Sequence, residues 1–160
     1  VTYPKVKEIM DSGIMSAFRA SPEGQDGGVY VQKLEQAFRD YFGVKHAVAM
    51  NSATSCLHAS CIALGLKARD EVIVTPYSMS ASASCVLMVG ATPVFVDVTE
   101  NTFCIDPIKI AKAITPKTKA IIPVHITGAV CDMKRLREIS EKYGIIIIED
   151  AAQSLGANYG

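Results

Sequence analysis

Apolar positions along this chain recur with two alternating periods, that of a helix and that of a strand. Val31, Leu34, Ala37, Phe38 and Tyr41 fall at helical spacing, with Gly43 after them as a C-terminal stop. His46 to Met50 reads as a short buried strand, and Thr54 to Leu64 then places Leu57, Cys61 and Leu64 on one helix face before Gly65. The rhythm repeats with a strand over Glu71 to Val74, a helix over Ala81 to Val89 and a strand over Pro93 to Val98. Asp106 followed by Pro107 is an N-cap with proline at the first helical position, opening a helix that closes near Thr115 and Pro116. Lys119 to Val124 is the next strand. Asp132 caps a helix carrying Met133, Leu136, Ile139 and Tyr143, which Gly144 stops. Ile145 to Ile148, four β-branched residues in succession, read as a strand buried on both faces.

Five strands separated by helices predict an α/β fold, a mostly parallel sheet with helices on both faces. Residues 1–28 break the rhythm: Val6 to Phe18 is at most a short helix, and Ser21 to Gly28 is a polar, glycine-rich loop. The expected organisation is an N-terminal helix and loop over 1–28 and a large domain over 29–160. The fifth strand delivers Glu149, Asp150 and Gln153 to the edge where parallel sheets bind ligands, and the chain stops at Gly160; an incomplete large domain is expected.

Composition narrows the partners. With 160 residues, 49% of them hydrophobic, the chain can build a core and is not disordered. Its 16 basic and 16 acidic residues cancel, so it has no electrostatic footprint for nucleic acid or an anionic membrane surface. A small molecule or a second copy is the expected partner. The longest apolar stretch, Val86 to Val96, is broken by Gly90, Thr92 and Pro93 and falls short of the roughly 18 residues a spanning helix needs. Val1 to Lys7 lacks the pattern of a signal peptide, which predicts a soluble, cytoplasmic protein. Five cysteines without a C-x-x-C pair read as reduced thiols, and His46, His58 and His125 are too dispersed to suggest a metal site.

Neither G-x-G-x-x-G nor G-x-x-x-x-G-K-[ST] occurs, which disfavours dinucleotide and P-loop chemistry. The first strand-to-helix junction instead carries Asn51-Ser52-Ala53-Thr54-Ser55. Helix N-terminal amides with the Thr54 and Ser55 hydroxyls would suit a phosphate; the same residues could simply cap the helix. Asp150 ends the isoleucine strand. It reads either as the N-cap of the next element or as a carboxylate that holds a cationic ring nitrogen, with Gln153 on its side of a turn. Met79, where the second strand gives way to a helix, reads by itself as ordinary core packing.

Together these segments resemble a known family. LEQAFRDYFGVKHAVAMNSATSCLH (Leu34 to His58), DEVIVTPYSMSAS (Asp70 to Ser82), GATPVFVDV (Gly90 to Val98), ITPKTKAIIPVHITG (Ile114 to Gly128) and IIEDAAQSLGA (Ile147 to Ala157) are similar, in this order, to the N-terminal half of the DegT/DnrJ/StrS sugar aminotransferases. These are fold-type I enzymes dependent on pyridoxal 5′-phosphate (PLP). The resemblance implies that Thr54 and Ser55 bind the cofactor phosphate, that Asp150 pairs with the pyridine nitrogen, and that Gln153 lies near the ring 3-hydroxyl. Met79 falls where the family commonly places an aromatic side chain against the ring, and a thioether can occupy a ring face. His125 and Gly128 match a recurrent segment to which no role is attached.

The resemblance further implies transfer of an amino group, typically from glutamate, to a nucleotide-linked keto-sugar, in a homodimer. The family's Schiff-base lysine lies beyond Gly160, so no catalytic residue is expected among these 160 and none of the 11 lysines is carried over to that role. A sugar dehydratase of the same family, with histidine replacing that lysine, and a non-catalytic module keeping only the fold are the alternatives.

Overall fold

The computed structural model describes residues 2–13 and 27–159, and no helix among them is long and apolar enough to cross a membrane. The chain forms two compact units, Val1–Ala49 and Met50–Gly160.

The first unit holds helices α1 (Thr2–Ser12) and α2 (Val29–Phe42). The expected helix over Val6 to Phe18 is seen as α1; positions 14–18 lie outside the described residues, as does the expected loop Ser21 to Gly28 except for Gly27 and Gly28. The Tyr30 hydroxyl donates to Glu8 at 2.9 Å, tying the two helices together. Gly43 ends α2 in the left-handed region (φ 63°), its amide donating to the Arg39 carbonyl, as the spacing predicts. The strand expected over His46 to Met50 is not formed. Val48 is 77% exposed, and the Ala49 amide donates to the Glu35 side chain rather than to another strand. An apolar run this short specifies a strand only where a sheet edge takes its amides, and none does so among the described residues.

The second unit carries α3 (Ala53–Ala63), β1 (Glu71–Val74), α4 (Ala81–Met88), β2 (Thr92–Phe95), α5 (Pro107–Ala113), β3 (Thr118–Ile122), α6 (Met133–Tyr143) and β4 (Ile146–Ile147). Among the described residues four strands, not the expected five, form one parallel sheet in the order β2-β1-β3-β4. Side-chain alternation distributes the core over its two faces. Ile73 and Ile121 point to one side and pack with Ile110 of α5 and Met133 and Leu136 of α6. Val72, Val74, Ala120 and Ile122 point to the other, against Leu57 and Cys61 of α3 and Cys85 and Val86 of α4. Each fully buried Ile or Val contributes about 1.5–3 kcal/mol, so these two layers hold the sheet.

Helix starts reflect the sequence chemistry. Asp106 accepts the Ile108 amide at 2.8 Å with Pro107 at the first turn, and Asp132 accepts the Arg135 amide at 3.2 Å. The isoleucine run departs from expectation: β4 spans only Ile146–Ile147, and Ile146 is 48% exposed. Among the described residues β4 is an edge strand with β3 as its single neighbour, so its outer residues are not enclosed.

Candidate functional site

Parallel strands send all their carboxyl ends to one edge of the sheet, and the backbone leaving β1, β3 and β4 carries the polar groups there. Beyond β4 the strand direction persists. The Asp150 amide donates to the Pro123 carbonyl at 2.9 Å and the His125 amide donates to the Asp150 carbonyl at 3.1 Å, making a parallel bridge between Val124 and Asp150. With both its backbone amide and carbonyl held by the segment after β3, Asp150 is 7% exposed. One carboxylate oxygen, Oδ1, accepts the Ala152 amide at 3.2 Å and so caps the next turn. The other, Oδ2, accepts the Ser82 hydroxyl at 2.9 Å. No cation pairs with this carboxylate among the described residues. A buried carboxylate held by neutral donors alone keeps lone pairs suited to a cationic N–H.

Ser82 lies in the first turn of α4, is 1% exposed, and its neighbours Cys85 and Val86 pack under β1. Its single hydroxyl proton goes to the carboxylate, which cannot donate. The Ser78 hydroxyl, 2.9 Å from that of Ser82, must therefore be the donor in the second link. Hydrogen bonds thus run in one direction, from Ser78 to Ser82 to Asp150.

His125 is 4% exposed and equally constrained. Its Nδ1 accepts the Cys131 amide at 3.2 Å, which requires the tautomer with the proton on Nε2, and Nε2 lies 3.0 Å from Glu149 Oε2. The ring therefore bridges the loop before α6 to the residue preceding Asp150, while its own amide fixes the Asp150 carbonyl.

Gln153 is joined to the short turn Ile126–Gly128: its Oε1 accepts the Thr127 amide at 2.7 Å. Thr127 sits at φ +50°, an unfavourable region for a β-branched residue, and Gly128 comes next at φ +87°. With Oε1 occupied, the side-chain NH₂ of Gln153 is its outward hydrogen-bonding group. The buried hydroxyl of Ser154 has no partner among the described residues.

Thr54 and Ser55 open α3, as the sequence predicts. Ser52 is the N-cap: its hydroxyl accepts the Ser55 amide at 3.2 Å and pairs with the Ser55 hydroxyl at 3.1 Å. The capping reading thus accounts for Ser55's amide, while the Ala53 and Thr54 amides precede the first intrahelical bond. Met79 is not core; it is 71% exposed beside Tyr77, whose ring lies 5.4 Å from that of Phe103. Of the predicted residues, Asp150 and Gln153 lie within one turn after β4. Thr54 and Ser55 are on α3, which packs against the α4 that carries Ser82, and Met79's carbonyl accepts the Ser82 amide at 3.3 Å.

All five cysteines are free. The Cys61 and Cys85 sulfurs are 3.9 Å apart; burial first, and then the neighbouring thiol, push Cys85 up to about 12, with a lesser push from the Asp150 charge. Burial likewise raises Cys131, with Cys104 beside it. No three His, Cys, Asp or Glu side chains among the described residues are grouped so as to hold a metal.

Ser82 and Ser78 are not singled out as site residues by the sequence alone, and Glu149 is placed by it at the ligand-binding edge without a role. The Ser78/Ser82 spacing of four is a usable signal, but their acceptor is 68 residues further on.

Comparison with known proteins matches this chain to an extensive group. The DegT/DnrJ/EryC1/StrS aminotransferase family model aligns with residues 9–160. The GDP-perosamine synthase of Caulobacter vibrioides is 46% identical over 132 residues, 82% of this chain and 36% of that protein. The crystal structure of an aminotransferase from Psychrobacter cryohalolentis superposes with a TM-score of 0.87 at 38% identity, covering 96% of this chain and 37% of that one. NtdA from Bacillus subtilis, solved with bound cofactor PMP, does so with a TM-score of 0.85 at 37% identity, covering 96% and 33%. The chain spans about a third of the length of these relatives. By the match over residues 9–160, it belongs to the DegT/DnrJ/EryC1/StrS aminotransferase family.

Proposed function

We propose that this chain forms the cofactor-ring and phosphate end of a PLP-dependent aminotransferase that moves an amino group, from glutamate as donor, to a nucleotide-linked keto-sugar in the cytoplasm. The observation that carries this reading is Asp150: a buried carboxylate at the carboxyl end of the sheet, fixed by two neutral donors and without a cation of its own among the described residues. That donor set fits a protonated pyridine nitrogen. PLP, when bound, supplies an electron sink that eases cleavage and formation of bonds to the amino-bearing carbon.

In this reading Asp150 keeps the ring nitrogen protonated, which its fixed carboxylate is suited to do. Gln153, whose Oε1 is committed to Thr127, offers its NH₂ to the ring hydroxyl. The Ala53 and Thr54 amides and the Thr54 and Ser55 hydroxyls bind the phosphate at the start of α3, where the helix dipole favours an anion. Met79, exposed beside Asp150's partner helix, covers a ring face. The lysine that bonds to the cofactor is assigned to a position outside these 160 residues. A homodimer completes the reading, supported by the exposed apolar side chains Leu87, Met88, Phe95 and Leu155.

The test is Asp150→Asn in the full chain. Transamination should fall about a hundredfold or more, the scale for losing one preorganised electrostatic group. Unchanged turnover in that variant would refute the assignment.

A further inference from the structure

Ser82 is a buried hydroxyl whose side-chain hydrogen bonds are two, one donated to Asp150 and one accepted from Ser78. At 1% exposure in the first turn of α4, it leaves its own helix partners satisfied through the backbone, its amide donating to the Met79 carbonyl. Its hydroxyl spans from α4 to the end of β4, reaching Asp150 Oδ2 at 2.9 Å, and is itself the acceptor of the Ser78 hydroxyl at 2.9 Å. Ser78 is only half-buried, so this chain of two hydroxyls runs inward from the partly exposed loop after β1 to the carboxylate.

A donor that itself accepts a hydrogen bond is polarised and donates more strongly, and a carboxylate oxygen held by such a donor keeps one orientation. We infer that Ser82 is a positioning residue for the cofactor: through the polarised Ser78–Ser82 pair it holds the Asp150 carboxylate in the orientation that faces the ring N–H of a bound pyridine. Ser82 touches neither substrate nor cofactor in this role; it acts through Asp150. The inference rests on the Asp150 assignment proposed above.

The experiment compares two ligands on the full chain: PLP, and its carbocyclic analogue 1-deaza-PLP, which has the same phosphate, aldehyde and hydroxyl but no ring nitrogen. Binding of each is measured for the parent, Ser82→Ala, Ser78→Ala and Asp150→Asn, with thermal melting as the check on folding. Ser82→Ala should bind PLP roughly tenfold more weakly, the scale of one hydrogen bond to a charged group, and bind the deaza analogue as the parent does. Ser78→Ala should shift PLP binding in the same direction by less, because it removes only the polarisation of Ser82. Equal weakening of both ligands by Ser82→Ala would make its role one of packing alone and overturn the inference, as would unchanged binding of both. Asp150→Asn separates the two levels. If it too weakens PLP selectively while Ser82→Ala does not, the Asp150 reading stands and the Ser82 inference falls; if it fails to distinguish the ligands, the Asp150 reading itself falls.

Discussion

The two ends of the parallel sheet differ in what they do with polar groups. At the amino end, a cleft of about 300 Å³ is lined by Leu64, Gly65, Leu66, Lys67, Asp70, Lys119, Gly144 and Ile146. Its charged side chains lie at the surface, and Asp70 is occupied in accepting the Lys67 amide at 3.0 Å. At the carboxyl end, by contrast, Asp150, His125 and Ser82 are each less than a tenth exposed; the first two follow the ends of β4 and β3, and Ser82 lies in the first turn of α4. Burying such groups costs several kcal/mol unless each finds partners, and here each does. A cleft by itself therefore does not mark the site. The burial of polar groups that each find partners is what supports placing the proposed site at the carboxyl end.

That contrast can be broken at its common support. Ile121 lies in the middle of β3, fully buried, between both ends. Ile121→Ala should lower the unfolding free energy by about 2–5 kcal/mol, read by denaturant titration, and disturb both ends together. The asymmetric case is Asp150→Asn, for which activity should drop about a hundredfold while Tm stays near that of the parent.

His125→Ala should fall between these. It removes the acceptor of the Cys131 amide and the partner of Glu149, at about 1–3 kcal/mol for the buried group left unpaired. Because His125 also pins the Asp150 carbonyl through its own amide, which the substitution keeps, stability should suffer more than activity. A hundredfold loss of activity without loss of Tm would instead put the imidazole in contact with the reacting groups. At the amino end, Lys119→Ala should change stability by less than about 0.5 kcal/mol and leave turnover intact; an effect as large as that of Asp150→Asn would reverse the comparison.

How much of this was legible in the sequence depends on distance along the chain. Local signals held: the Asp106-Pro107 and Asp132 caps, the glycine stops after α2 and α6, and the bounds of β1 are all set by neighbouring residues. Non-local facts were hidden. That His46 to Met50 pairs with no strand among the described residues, and that Ile146 lies at a sheet edge there, depend on strand order, which no local run encodes. Asp150 was visible because it ends an apolar strand, whereas Ser82 looks like any hydroxyl of a serine-rich turn until the fold brings it to Asp150. Met79, which by itself reads as core packing and by resemblance as a cover for a cofactor ring, is exposed because it sits on the loop leaving the sheet rather than on the face of α4 that packs.

The smallest effect expected at neutral pH is also one that reports on the carboxyl end from within the core. Cys85 is raised to about 12 by burial, then by Cys61, and least by the Asp150 charge, while the unfolded thiol titrates near 9.0. The folded state therefore holds a proton that the unfolded state gives up between about pH 9 and 12. Stability from this thiol is fully present below pH 9 and is lost as pH rises through that window, since the unfolded chain binds fewer protons there. Thermal unfolding from pH 8 to 10.5 should show Tm falling, and Cys85→Ala should flatten the slope. Because the Asp150 charge supplies part of the upward push, Asp150→Asn should ease it and reduce the slope slightly. An unchanged slope in Cys85→Ala would mean that other groups carry the alkaline transition. A steeper slope in Asp150→Asn would mean that the residue at 150 is not an anion beside that thiol in the folded protein.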